Sequence, residues 1–262
     1  MDHDNGRQLK TIGTTVEIVR ALRDLDGAGV TELAAHLDLS KGSVHHHLST
    51  LRSDHLVTRE NGEYRLGLRF VAFGEYVKGR NPLYRGAKSE VDTLAENTGE
   101  YVHLMTEQFG RAIHLYKSRG ETAVGTSYHR KNLQRRDYLH YSAAGKAILS
   151  CLSDRRVDRI VDAYGLPERT DRTITTRAEL FDELETVGEN DYAVNDEEEI
   201  PGLRAVAAPI DPSQVDAVGA VSISGPVSRM DGSRLKEELP DTVVQTANVI
   251  ELNIDTKNQQ PT

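Results

Sequence analysis

Leu39-Ser40-Lys41-Gly42-Ser43-Val44-His45-His46-His47-Leu48-Ser49-Thr50-Leu51-Arg52-Ser53-Asp54 is the stretch on which the reading of this chain turns. Val44, Leu48 and Leu51 recur at the i, i+4, i+7 spacing of one helical face, which predicts a helix with a buried stripe. Ser40 stands before it as an N-cap, its side-chain oxygen placed to accept an orphan N–H of the first turn. The other face offers Lys41, Ser43, His45, His46, Ser49 and Arg52. Short or basic donors of this kind suit phosphates and base edges better than a second packed layer. The stretch reads as the recognition helix of a helix-turn-helix. His45, His46 and His47 do not form a metal site, because successive helical residues point about 100° apart. His47 falls at the edge of the stripe, and His45 and His46 face outward.

Upstream, residues 1–13 read as a flexible tail. Thr14 to Leu25 is a helix with Ile18, Leu22 and Leu25 inward, ended by Asp26-Gly27-Ala28-Gly29. Val30 to Leu37 makes a short second helix with Thr31 as a candidate cap, and His36-Leu37-Asp38-Leu39 turns into the recognition helix. Downstream, Leu56–Arg59 and Glu63–Gly67 flank Glu60-Asn61-Gly62. Two short alternating runs around Asn-Gly predict a hairpin, because both turn residues tolerate positive φ. Three helices and a hairpin make a winged helix-turn-helix over 14–67, with Arg59 and Arg65 flanking the wing tip to meet the DNA backbone or minor groove.

Beyond the wing the pattern predicts a linker helix over 68–82, using Leu68, Val71, Ala72 and Glu75, broken near Gly79-Arg80-Asn81-Pro82. Leu83–Thr98 is a further amphipathic helix with Val91, Leu94 and Ala95 inward. Tyr101–Met105 and Arg111–Tyr116 read as paired strands. Helices follow at Ala143–Leu152, Asp154–Tyr164 and Arg177–Glu189, and strands at Leu203–Ile210 and Ala217–Ser224. A last helix runs from Ser233 to Leu252 with Pro240 bending it. Strands and helices around one sheet give an α+β second domain over 83–254, with a tail at 255–262.

At 262 residues the chain has room for two domains. No apolar run approaches the roughly 18–20 residues of a membrane span, and the polar start Met1-Asp2-His3-Asp4 does not read as a signal peptide. The single cysteine, Cys151, excludes an internal disulfide and suits a reducing compartment. A cytoplasmic protein with no membrane partner is expected, with Cys151 as a buried structural thiol. The net charge of −9 argues against non-specific coating of nucleic acid, but not against a DNA reader with its basic groups on one face. Arginine outnumbers lysine and acids are plentiful, a pattern that hints at a salt-loving host.

The residues resemble the IclR family of transcriptional regulators from Thr14 to Leu252. The resemblance rests on Tyr64-Arg65-Leu66-Gly67, Ser142-Ala143-Ala144-Gly145-Lys146-Ala147 and Thr173-Ile174-Thr175. The run Asp196 to Pro209 and Val221-Ser222-Ile223-Ser224-Gly225-Pro226 complete it. It implies a winged helix-turn-helix joined by a linker helix, used in dimerisation, to a C-terminal GAF-like α/β effector-binding domain. It also implies a homodimer or dimer of dimers on a palindromic operator of catabolic genes. Where the family usually has Ser-Thr-Val-His-Arg-Leu-Leu, this chain has Gly42 to Leu48, with His46 at the arginine and His47 at an apolar position.

Small residues at the start of a helix, as in Ser142-Ala143-Ala144-Gly145, let a ligand approach backbone N–H groups where the macrodipole favours an anion. Ser222 and Ser224 share one side of a strand. The resemblance adds the positions of Asn195 and Ala205, and Tyr128, His129, His140 and Tyr141 offer a hydrogen-bonding or stacking wall. The expectation is a small anionic metabolite, such as a keto acid or sugar acid, held by N–H groups and hydroxyls. The plainer alternative is that the serines satisfy the sheet and the alanines pack a helix. The acid run Asp196–Glu199 lies beside the pocket on the resemblance, free to contact ligand hydroxyls. Metal coordination there with His103 or His114 is the lesser reading, and no metal or cofactor is expected. A ligand-transforming enzyme or a protein-binding adaptor on the same C-terminal domain is the alternative function. Against an enzyme, the chain has no nucleophile elbow, phosphate loop, paired cysteines or His-Glu-x-x-His.

Overall fold

The computed structural model describes residues 9–124, 137–213, 215 and 217–258. Two compact units divide between Val77 and Lys78.

In the first unit, α1 (Lys10–Asp24), α2 (Val30–His36) and α3 (Lys41–Ser53) precede a ribbon of β1 (Val57–Glu60) and β2 (Glu63–Leu66). Ile18, Leu22, Leu33, Val44, Leu48, Leu51, Val57 and Tyr64 close one core. Each large aliphatic side chain buried there contributes about 1.5–3 kcal/mol. The Ser40 hydroxyl accepts the Ser43 N–H at 3.1 Å, fixing the start of α3. Asn61 and Gly62 take φ of 50° and 90°, the mirror-image turn that suits a twisted hairpin.

Two expectations for this unit are revised. α1 begins at Lys10, so part of the presumed tail is helical. α2 starts after Gly29 with no side-chain cap, which leaves Thr31 in the first turn rather than before it. The linker helix α4 (Arg69–Arg80) contains no buried residue. Its Val71, Tyr76 and Val77 are 57%, 64% and 67% exposed.

The second unit opens with α5 (Pro82–Thr98), capped by the Asn81 side chain, which accepts from the N–H groups of Leu83 and Tyr84. Pro82 sits in the first turn, where its missing N–H costs nothing. Strands β3 (Tyr101–Gln108) and β4 (Arg111–Arg119) follow. The chain continues through α6 (Ala143–Ser150), α7 (Asp154–Tyr164), α8 (Arg177–Asn190) and β5 (Ala193–Asp196). It ends with β6 (Leu203–Ile210), β7 (Gly219–Pro226) and α9 (Leu239–Asn258). The sheet is antiparallel in the order β4-β3-β7-β6-β5.

Strand alternation gives the sheet two unlike faces. Val102, Leu104, Val206, Ala208, Val221 and Ile223 pack with Leu83, Val91, Leu94, Val243 and Ile250 of α5 and α9. Met105, Ala112, Ala205, Ala207 and Ala220 pack with Ala143, Ala147, Ile148, Val157, Leu180 and Leu184 of α6, α7 and α8. The second face is lined by small residues, and α6 lies close upon it.

Strand β5 was not anticipated, since its four residues run straight into the acid run and read as loop. The last helix runs without a break from 232 to 258. A π-turn spans Arg234–Glu238, closed by the Leu239 N–H on the Arg234 carbonyl, directly before Pro240. α9 continues from it at Leu239. α9 runs on to Asn258, so the presumed tail begins later than residue 255. Cys151 ends α6 half-buried, its thiol 3.6 Å from the Ala147 carbonyl and pushed by burial up to about 11. No helix among the described residues is long and apolar enough to cross a membrane.

Candidate functional site

Two sites emerge, one in each unit. On α3, Lys41, His45, His46, Ser49 and Arg52 are exposed and Ser43 is half-buried, while Val44, Leu48 and Leu51 face the core. His47 lies at the core edge, its Nδ1 2.8 Å from the Thr15 hydroxyl on α1. That contact gives the departure from an apolar residue a partner.

The wing treats its two arginines differently. Arg59 pairs with Tyr64 in the ribbon register and its guanidinium lies 5.3 Å from that ring, whereas Arg65 pairs with Thr58 on the opposite side. Arg65 bonds to Glu63 at 3.2 Å and lies 3.8 Å from Asp26. The two do not share a face, and Arg65 already has carboxylate partners.

The second site is a cavity of about 40 Å³ in the second unit. Among its lining residues are Tyr141, Ala143, Ala144, Asn195, Ala205, Ser222 and Ser224, so seven sequence-selected residues converge there. Tyr128 and His129 lie outside the described residues. The cavity exists because β6 and β7 present alanine and serine towards α6, where larger side chains would fill the space.

Ser142 caps α6 by accepting the Gly145 N–H at 3.1 Å. The N–H groups of Ala143 and Ala144 have no hydrogen-bond partner among the described residues. Both lie at the positive end of the helix, beside the cavity. A Cβ on Gly145 would lie 2.0 Å from the Leu139 carbonyl oxygen. The motif therefore splits into a cavity-lining side, Ala143 and Ala144, and a packing side, Gly145.

Asn195 is fully buried and braces the wall. Its Nδ2 donates to the Tyr141 carbonyl at 3.1 Å and its Oδ1 accepts the Glu198 N–H at 3.0 Å. The acid run is largely committed to cations. Asp196 pairs with Arg172 and Arg204, Glu197 with Arg172, and Glu198 with Lys146, leaving Glu199 as the member that lines the cavity. Lys146 is fully buried, 2.6 Å from Glu198 and 2.7 Å from Glu183 of α8. Burial raises the Glu198 carboxyl above its ordinary range and Lys146 opposes that rise. His140 does not join the wall with Tyr141. Its Nε2 meets the Pro167 carbonyl at 3.1 Å, and burial lowers its proton affinity.

The sequence reading missed His103, Met105, His114, Asp137 and Leu203 as lining residues. His103 was considered only as a metal ligand, yet it lies opposite Ser222 in the β3–β7 register, with Nε2 2.9 Å from the Ser224 hydroxyl. Among the described residues no group of three or more His, Cys, Asp or Glu side chains is arranged to hold a metal ion.

Comparison with known proteins gives the class first. Residues 13–61 match the IclR helix-turn-helix domain, and residues 75–252 match the C-terminal domain of bacterial IclR transcriptional regulators. The chain belongs to the IclR family of helix-turn-helix, DNA-binding transcriptional regulators, which are not enzymes. In particular, it is 37% identical to the probable HTH-type transcriptional regulator ArcR of Halobacterium salinarum over 251 residues, 95% of each chain. It is 29% identical to the HTH-type transcriptional regulator XynR of Escherichia coli, covering 79% of this chain and 81% of that one. The crystal structure of IclR from Thermotoga maritima matches with a TM-score of 0.74 at 25% identity, over 94% of this chain and 99% of that one.

Proposed function

We propose that this regulator binds a palindromic operator of catabolic genes as a homodimer, or a dimer of dimers, and that a small organic acid in the second-unit cavity controls the binding. The observation that carries the ligand reading is the pair of unpartnered N–H groups, Ala143 and Ala144, opening beside the hydroxyls of Ser222 and Ser224. A carboxylate completes those donors without a cationic side chain. A cavity of about 40 Å³, at about 10–15 Å³ per water, suits a compact acid of a few carbons before a sugar acid.

On α3, Lys41, Ser43, His45, His46, Ser49 and Arg52 are the groups to contact DNA, with Arg59 and Arg65 of the wing reaching backbone or minor groove. The domain scheme is that of the sequence reading, with a DNA-binding domain over 14–67, a linker over 68–82 and an effector domain over 83–254. The exposed apolar residues of α1 (Ile12, Val16) and α4 (Val71, Phe73, Tyr76, Val77) support association with a second copy. A symmetric pair presents two recognition helices about 34 Å apart, one turn of DNA. A ligand that favours one arrangement of the pair shifts the population able to bind. The site of action is the cytoplasm.

The test is a footprint of the purified protein on the DNA upstream of its own gene, with and without a panel of short organic acids. Protection that some acid strengthens or abolishes is the expected result, and no protection under any condition overturns the reading. In a parallel thermal-shift screen, a true effector at about 100 times its dissociation constant adds about 2.7 kcal/mol of stability.

A further inference from the structure

We infer that His114 reads a hydroxyl group on the effector, so that the cavity selects hydroxy acids over the matching keto acids. This rests on the reading of the cavity as an acid-binding site, and it goes further by assigning a lining side chain outside the start of α6.

The first observation is a bulge. Leu104 pairs with Tyr116 but Met105 pairs with His114, so Leu115 is the extra residue in β4. In an unbroken ladder Leu115 would stand opposite Met105 and His114 would face the other side of the sheet. The bulge turns His114 to the face that Met105 and Ala112 share, and His114 lines the cavity. Bulges placed beside a site commonly re-aim one side chain in this way.

The second observation is an orphan. The His114 side chain is only 9% exposed, and its Nδ1 is buried with no hydrogen-bond partner among the described residues. A buried ring nitrogen without a partner is costly unless a ligand supplies one.

The third observation decides which partner fits. His114 Nε2 faces Asp137 Oδ2 at 3.9 Å. The other oxygen of Asp137 accepts the Tyr141 hydroxyl at 3.2 Å, and the Asp137 carbonyl accepts the Ala112 N–H at 3.0 Å, so the carboxylate is held in place. Burial keeps the Tyr141 phenol protonated well past its ordinary range, so it remains the donor in that contact. In the neutral ring the carboxylate favours the proton on Nε2, and Nδ1 presents a lone pair. A ligand hydroxyl donates to that lone pair. A ketone oxygen in the same place sets two acceptors against each other.

The experiment is calorimetric titration of the full chain at about pH 8. The probes are matched pairs: D- and L-lactate against pyruvate, and D- and L-3-hydroxybutyrate against acetoacetate. Lactamide serves as the control without a carboxylate. The expected result is that at least one hydroxy acid binds about tenfold or more tightly than its keto partner, the ratio that one unmet buried hydrogen bond produces. His114→Phe brings the two members within about twofold while both still outbind lactamide, which shows that only the acceptor has gone. Should that variant not fold, Asp137→Asn takes its place, and release of the Nε2 tautomer narrows the ratio. Keto acids binding as tightly as hydroxy acids, or more tightly, overturn this inference and leave the acid-binding site standing. Binding of no acid at all removes the acid-binding site and this inference together.

Discussion

The helices α3 and α6 begin alike and end in opposite trades. Each is capped by a serine that bonds the third N–H of the helix at 3.1 Å, and each leaves its first two N–H groups without a partner among the described residues. In α3 those first residues are Lys41 and Gly42, both exposed. In α6 they are Ala143 and Ala144, and every residue from Ala143 to Leu149 is buried. The same local chemistry therefore offers donors to bulk solvent in one unit and to a cavity in the other. A cap motif locates a place where an anion is welcome, and burial decides whether that anion can be a polymer or must be a small molecule.

The largest expected effect probes the buried frame of α6, for which α3 has no counterpart. Lys146→Met leaves Glu183 and Glu198 facing each other without their cation. Removing one partner of a buried pair costs about 3–5 kcal/mol, read as a lowered urea midpoint for the second unit by circular dichroism. Next comes a pair of glycines, each in the first turn of its helix and unlike in surroundings. Gly145→Ala meets the Leu139 backbone and is expected to cost about 1–3 kcal/mol or more. At Gly42 the nearest atom to a new Cβ is 4.0 Å away, so Gly42→Ala is expected to stabilise the first unit by up to about 1 kcal/mol. Equal effects at the two glycines would break the comparison.

A subtler effect concerns charge at the open helix. Lys41→Ala is expected to reduce the slope of log affinity against log salt on operator DNA by about 1, with the effector's own dissociation constant unchanged. The last effect depends on pH and concerns Lys117 on β4, whose ammonium is pulled by burial from 10.5 to about 7, over the Tyr101 ring at 4.1 Å. Between those values the unfolded chain holds more protons, so this lysine makes stability rise with pH across that window. Lys117→Met is expected to raise the melting temperature most at or below about pH 7, with the gain fading towards pH 10.

The first unit was nearly all legible, because its signals are local. Ser40 before the Val44, Leu48, Leu51 stripe marks α3, and Asn61-Gly62 marks the wing. What differed there was where helices begin, since α1 starts at Lys10 and α2 starts without a side-chain cap. The cavity was legible where a motif carries it, at Ala143, Ala144, Ser222 and Ser224. It was illegible at His103 and His114, because those depend on strand partners more than a hundred residues away and on one bulge in β4. The acid run showed a similar limit, since no pattern reveals that Asp196, Glu197 and Glu198 each answer an arginine or lysine elsewhere.

The burial of Lys146 has a consequence for where such a molecule can work. Dissolved ions screen charges that water reaches, with a Debye length near 3 Å in molar salt, and they erode every phosphate contact by competing for the backbone. They do not penetrate to an ammonium enclosed between two carboxylates in the protein interior. Salt would weaken phosphate contacts made by α3 long before it disturbed the buried ion pairs that hold Lys146.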